Sequence, residues 1–303
     1  MKHIRSIIEF HKLLSLPEPQ HPLVSVVRVE NIHFSDPEIW NHFFLDFYTI
    51  SLKDGVEARV KYGQQYYDYD KGVMTFTAPK QVNFLDLERT DKPYINSGSG
   101  YVLLLHPDFL HGYKLAAEMA NYGFFAYATN EALHLSGREQ ENIIQIFKKI
   151  EQEYEYIDRH TQDIIISQIE LMMSYSIRFY ERQFLTRKAV NSDILTKVDQ
   201  LLDRCFQDSA ALKNGLPTVE FMAGELNLST HYLSDLLRSL TGLSAQQKIH
   251  STLIEKAKIK LSTSNLSVSE IAFSLGFEYP QSFSKLFKKK TEMSPSDFRK
   301  AFN

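Results

Sequence analysis

A single cysteine, Cys205, in 303 residues leaves no intramolecular disulfide to form, and the cysteine framework that staples small secreted domains is absent. No apolar run approaches the roughly 20 residues that a membrane-spanning helix requires; the greasiest stretches, such as Tyr101 to Leu105, are strand-length. No basic-then-apolar leader opens the chain, so a reducing, cytoplasmic setting without membrane partners is the expectation. Histidine occurs 11 times but never as His-x-His. His33, His42, His134 and His160 are scattered, and His106 and His111 stand five apart across Pro107, a poor spacing for a metal cluster. No serine or cysteine sits in a recognisable nucleophile setting, and Cys205 falls on an apolar helical stretch where an inert thiol is expected. No catalytic residue, metal site or cofactor is therefore expected, and the chain reads as a protein without enzymatic activity.

What is present is ordinary globular material, at 43% hydrophobic and 23% charged residues, in a chain long enough for two cores. Net charge is −3, but it is unevenly spread. From Leu216 onward there are 11 lysines and arginines against 8 acids, a net +3, which leaves −6 on the remainder. An excess of +3 is compatible with a nucleic-acid partner and far too small to establish one.

From about Phe47 to His106 the pattern is that of strands. Tyr48 to Leu52, Val56 to Tyr62, Val73 to Thr77 and Tyr101 to Leu105 alternate or run apolar. Asp54-Gly55, Lys71-Gly72 and the run Asn96-Ser97-Gly98-Ser99-Gly100 punctuate them. Short strands so spaced predict a β-sandwich or barrel. Tyr48, Tyr62, Tyr66, Tyr67, Phe76 and Phe84 are candidates to line a pocket in it, with ordinary strand core as the plainer alternative.

After Ser136 the period changes to that of helices. Ile143, Ile146, Phe147, Ile150, Tyr154 and Ile157 mark one face, opened by a capping box of Ser136 and Glu139. A second helix over Gln162 to Phe184 brings Ile165, Ile169, Met172, Met173, Tyr180 and Phe184 together, and a third spans about Asp193 to Phe206. Such long amphipathic helices serve as core or as a dimer interface. Periodicity is lost between Gln207 and Pro217, which places the entry to a second domain there.

The last part of the chain repeats itself at an offset of 49 to 50 residues. Ala223-x-x-Leu226-x-Leu228 recurs as Ala272-x-x-Leu275-Gly276-Phe277, and Leu233-Ser234-x-Leu236-Leu237 as Phe283-Ser284-x-Leu286-Phe287. Thr241-x-Leu243-Ser244 recurs as Thr291-x-Met293-Ser294. Each copy reads as a helix, a tight turn and a second helix. The small alanine permits a close helix crossing, and Asn227 and Gly276 hold the turn position where a left-handed backbone is needed. Ser229, Ser267 with Glu270, and Ser244 with Gln247 supply the helix caps.

Helical wheels then divide the second helix of each copy. In copy one Leu233, Leu236, Leu237 and Leu240 face inward while His231, Asp235 and Arg238 face outward, with Ser234 beside them. In copy two Phe283, Leu286 and Phe287 face inward, and Gln281, Lys285 and Lys288 outward beside Ser284. Side chains of this kind on a pinned helix can bond base edges in a major groove, although for one isolated helix a solvated face is the simpler reading.

The strings Ile271-Ala272-x-x-x-Gly276-Phe277, Phe283-Ser284-x-x-Phe287-Lys288-Lys289 and Ser294-Pro295-x-x-Phe298-Arg299 resemble the C-terminal domain of AraC-type (AraC/XylS) transcriptional regulators. The resemblance covers about Thr218 to Phe302. It implies two helix-turn-helix units, about 218–240 and 267–290, joined by a long helix here near Leu253 to Leu261. Both recognition helices would lie on one side, addressing successive major grooves roughly 34 Å apart. By position, the family's base-reading sites fall on His231, Ser234 and Asp235 in copy one and on Pro280, Gln281, Ser284 and Lys285 in copy two. Lys288 and Lys289 read as phosphate clamps. Two departures stand out: an acid at Asp235 where a basic or polar residue is common, and Asn227 in place of glycine.

The strand-rich segment and the string Gly72-Val73-Met74-Thr75-Phe76-Thr77-Ala78-Pro79 resemble the cupin-like sensing domain of many such regulators. The expectation is thus an α+β chain: a cupin-like β-barrel with helices for sensing and dimerisation over 1–190, then an all-α DNA-binding domain over 191–303. Double-stranded DNA, a second copy of the chain, RNA polymerase and a small-molecule effector are the partners the resemblance implies. The competing classes are a cupin-type enzyme with a DNA-binding tail, disfavoured by the histidine spacing, and a regulator acting through protein contacts alone. The basic stripe at Lys285, Lys288 and Lys289 speaks against the latter.

Overall fold

A computed structural model of the chain describes residues 1–34, 36–40, 42–54, 60–62, 65–67, 72–83, 99–128, 131–186, 188–206 and 215–302. They form two compact units, Met1–Gln183 and Phe184–Asn303.

The first unit is mixed α and β. Strands β2 (Val24–Arg28), β4 (Tyr48–Asp54), β7 (Val73–Thr77), β8 (Ser99–Leu105) and β9 (Leu133–His134) form one antiparallel sheet in the order β2-β8-β4-β7-β9. Helices α1 (Ile7–Leu13), α2 (Pro37–Trp40) and α3 (Lys114–Met119) and two short strand pairs accompany it. β1 (Lys2–Ile4) runs parallel to β3 (Phe43–Leu45), and β5 (Val60–Tyr62) pairs with β6 (Gln65–Tyr67). The expected barrel is not seen among the described residues: the sheet is open, with β2 and β9 at opposite edges. Residues 56–59, Gly55, Lys71, Phe84 and the Asn96-Ser97-Gly98 run lie outside the described residues, as do the side chains of Tyr62, Tyr66 and Tyr67.

Register explains why Tyr101 to Leu105 is apolar throughout rather than alternating. Both faces of the central strand β8 are covered, the condition that removes the polar half of a strand pattern. On one face Leu103 and Leu105 join Ile50, Leu52, Met74 and Phe76. Tyr101 stacks on Phe147 at 5.2 Å, and Phe76 packs against Phe124 at 4.5 Å. On the other face Val102 and Leu104 join Val27, Phe47 and an N-terminal layer of Ile4, Ile7, Phe10, Trp40 and Phe43. Of the pocket candidates, Phe76 is therefore core, and Tyr48 packs edge-on to Phe125 at 5.1 Å.

Helix α4 (Gly137–Glu155) begins at the predicted capping box, and the same Glu139 also anchors an arginine. Arg182 forks onto Glu139 at 3.0 and 2.6 Å and donates to the His134 carbonyl at 2.7 Å. At the far end Arg28 makes a bidentate pair with Glu151 at 2.9 and 2.7 Å, beneath the ring of Tyr101. The predicted stripe Ile143 to Tyr154 is buried, but Ile157 is not part of it. The helix ends at Glu155, and Ile157 is 46% exposed beyond the cap. Helix α5 spans Thr161–Thr186, and Ile165, Ile169, Met172, Met173 and Tyr180 are all buried.

The second unit is all helix among the described residues: α6 (Lys188–Cys205), α7 (Val219–Glu225), α8 (Thr230–Thr241), α9 (Ala245–Thr263), α10 (Val268–Ser274), α11 (Pro280–Thr291) and α12 (Pro295–Phe302). Its core is one cluster, in which Leu253, Ile254, Ala257 and Leu261 of the central helix α9 meet both repeat copies. The predicted linker near Leu253 to Leu261 is thus the second half of a helix more than twice as long, because Ser244 and Gln247 cap its true start. Helix α6 completes this core with Val198, Leu201 and Leu202. Asp199 pairs with Lys248, and Asp203 with Lys256, each at 2.8 Å. Cys205 is half-buried, and burial pushes its thiol up.

Candidate nucleic-acid interface

The two copies fold alike, down to individual backbone hydrogen bonds. In copy one the chain leaves α7 with Asn227 N donating to Gly224 O at 3.1 Å and Leu228 N to Ala223 O at 2.9 Å. In copy two it leaves α10 with Gly276 N donating to Phe273 O at 2.9 Å and Phe277 N to Ala272 O at 3.0 Å. Asn227 (φ 54°) and Gly276 (φ 90°) occupy the left-handed region, the geometry the repeat predicts for both. A side chain would not fit at the second. A Cβ on Gly276 would lie 2.8 Å from the carbonyl carbon of Gly215, so backbone packed against backbone demands glycine there. Copy one has room for Asn, which accounts for that departure.

The second helices also end alike. Gly242 and Glu292 are left-handed C-caps that donate to Arg238 O at 2.9 Å and Lys288 O at 2.8 Å. Their starts differ. Ser229 caps α8 by accepting from Tyr232 N, whereas α11 starts on Pro280, which needs no cap at the first helical position.

Burial separates the two faces as the wheels require, with one exception. Leu233, Leu236 and Leu237 are buried, but Leu240 is only half-buried because it lies at the end of α8. In copy two Phe283 and Phe287 are buried, and Leu286 packs at the margin of the core. Outward, His231 and Arg238 are exposed and Ser234 and Asp235 half-exposed in copy one. In copy two Gln281, Lys285, Lys288 and Lys289 are exposed, with Pro280 and Ser284 half-exposed beside them.

The electrostatics of the two stripes are unequal. Asp235 and Arg238 form an ion pair at 2.6 Å, so copy one presents a locally compensated surface. Among the ion pairs of the described residues none engages Lys285, Lys288 or Lys289. The charge at the end of α11 reaches the neighbouring helix: His250 on α9 is held below its ordinary pKa by burial first, and then by Lys290 and Lys289. Copy two is thus an uncompensated basic helix over an apolar anchor. No three His, Cys, Asp or Glu residues converge on a possible metal position among the described residues, and no described helix is long and apolar enough to cross a membrane.

Residues 222–301 match a family profile described as a helix-turn-helix domain. The C-terminal unit carries an AraC-type helix-turn-helix domain. Among its relatives is the raffinose operon transcriptional regulatory protein RafR of Pediococcus pentosaceus. It is 39% identical over 84 residues, 28% of this chain and 30% of that protein. The arabinose operon regulatory protein of Salmonella typhimurium is 32% identical over 126 residues, covering 41% of this chain and 45% of that one. The matches therefore span less than half the length of these two curated relatives. A solved DNA-binding domain, that of AdpA in complex with a target DNA, is 26% identical, with a TM-score of 0.32. It covers 36% of this chain and 91% of that one.

Two structural features of the AraC-type domain escaped the sequence reading, the role of α6 as a wall of its core and the contacts of α12 with the linker, whereas the pairing of Asp235 with Arg238 was expected from their spacing of three on one helix. The first had a legible trace, since Asp199 and Asp203 stand four apart on a helix whose other face is apolar.

Proposed function

We propose that the chain is a sequence-specific DNA-binding transcription regulator that reads duplex DNA with both helix-turn-helix units. The observation that carries this is the exposed, uncompensated stripe Gln281, Lys285, Lys288 and Lys289 on a helix fixed from behind by Phe283 and Phe287. Gln281 matches the paired donor and acceptor edge of adenine, and Lys285 the O6 and N7 acceptors of guanine. Pro280 and Ser284 flank them within reach of the same groove, while Lys288 and Lys289 hold phosphates. Copy one contributes His231, Ser234 and Asp235 as weaker readers, with Arg238 shared between Asp235 and phosphate.

The first unit, and the helices that follow its sheet, would supply sensing and dimerisation. A small effector bound by a cupin-like first unit is part of this reading. A dimer is supported by Ile164 and Leu171, seven residues apart on α5 and 37% and 42% exposed. RNA polymerase is the partner through which such a regulator would act. Selection of duplexes from a random pool by the full chain, followed by genomic footprinting, tests the reading. With about four cations on phosphates, affinity should fall roughly a hundredfold between about 50 and 200 mM salt. Binding indifferent to salt and sequence would refute it.

A further inference from the structure

Arg299 lies midway along α12, away from both recognition stripes, and its contacts have no counterpart in copy one. From α12 its guanidinium donates through Nε to the carbonyl of Leu261 at 3.2 Å and through Nη2 to the carbonyl of Leu266 at 2.6 Å. Leu261 is in the last turn of the linker helix α9, where carbonyls lack intrahelical partners and a cation is favoured. Leu266 stands just before Ser267, the residue that caps α10. One planar fork therefore ties the end of the linker to the start of copy two. The preceding residue grips the recognition helix itself, since Phe298 packs edge-on to Phe287 at 5.5 Å, on the buried face of α11. At the equivalent place in copy one, 50 residues earlier, stands Ile249, an ordinary core residue at 2% exposure.

We propose that Arg299 is a positioning residue that sets the aim and spacing of the copy-two recognition helix relative to copy one, through α12. The proposal rests on the DNA-binding reading above. The path is short: α11 to Phe298, Phe298 to Arg299, Arg299 to two carbonyls of the linker end. A fork holding two carbonyls fixes direction as well as distance, which a lysine with one point charge cannot do. Without the fork, the shared apolar core still joins copy two to α9, but its angle to the end of that helix is held less tightly. The two helix-turn-helix units then adapt to altered spacing, and their dependence on half-site spacing flattens.

The test uses the full chain and a duplex it selects from a random pool. In the unaltered protein, inserting two base pairs between the two recognised segments should weaken binding at least about tenfold. In Arg299→Met the same insertion should cost less than about threefold, and affinity for the uninterrupted duplex should fall about tenfold, with helix content unchanged. Arg299→Lys should lie between the two. If Arg299→Met fails to fold, hydrogen exchange at the Nε–H of Arg299 in the unaltered protein decides: slow exchange supports the fork, and exchange at the solvent rate overturns it. A full spacing penalty retained in a folded Arg299→Met overturns the proposal alone. A chain that selects no duplex overturns the DNA-binding reading and the proposal with it.

Discussion

Gly276→Ala tests the repeat at its most constrained point. At φ 90° an L side chain is in the left-handed region, at a cost of about 1–2 kcal/mol. The added Cβ would also sit 2.8 Å from Gly215 C, 3.0 Å from Gly215 O and 3.1 Å from Leu216 N. All three are backbone atoms, so no rotamer change relieves the contact, and Gly215 is itself left-handed at φ 73°. Overpacking of this kind costs about 1–3 kcal/mol. Together the two effects remove about 2–5 kcal/mol, a large share of the roughly 5–15 kcal/mol that holds a domain folded. Asn227→Gly is the matched control. It changes the equivalent turn of copy one at an exposed position and should alter stability by less than about 0.5 kcal/mol. Urea unfolding of the full chain, followed by far-ultraviolet circular dichroism, measures both. Trp40, the sole tryptophan, lies in the first unit, so its fluorescence reports on that unit separately. Equal, small effects of the two substitutions would refute the argument that backbone contact dictates glycine at 276.

Lys285→Ala should weaken operator binding by about 1–3 kcal/mol and relax preference at one base pair, measured by binding curves on operator and scrambled duplex. Asp235→Ala should strengthen non-specific binding, because it removes a repulsive charge and releases Arg238 toward phosphate. If Lys285→Ala is silent while Asp235→Ala abolishes operator binding, copy one is the dominant reader. A fragment beginning at Phe184 should fold and bind DNA, whereas one beginning at Leu216 should be unfolded or aggregated, because Val198, Leu201, Leu202 and Phe206 of the shared core are lost. Cooperative unfolding by the shorter fragment would contradict that. His11 sets a pH limit on the first unit. Burial holds its imidazole below the ordinary value while Nδ1 donates to Pro17 O at 2.6 Å and Nε2 accepts from Ser25 Oγ at 3.0 Å. The fold favours the neutral ring, so its stabilisation is complete above the unfolded pKa of about 6.5 and is lost as pH falls toward the lower folded value. His11→Gln should remove that part of the pH dependence of urea unfolding; an unchanged profile would assign it elsewhere.

The repeat, its caps and its turn residues determined the C-terminal unit from sequence alone, because each is a local rule. Ser229, Ser244 and Ser267 cap where they stand, and Asn227 and Gly276 turn where left-handed backbone is required. The stripes follow, since a helix pinned by Phe283 and Phe287 must present Gln281 and Lys285 on its other side. Long-range partners were another matter. Nothing near Arg299 in the chain announces carbonyls 38 and 33 residues back, nor does Lys248 announce Asp199. In the first unit the apolar run of β8 was legible, but whether its sheet closes depends on which edges meet, and β2 and β9 end at opposite sides. Strand pairing joins residues far apart at an entropic cost that no local pattern records. Only the tertiary structure decided where those pairings stop and why Ile157 is left in solvent.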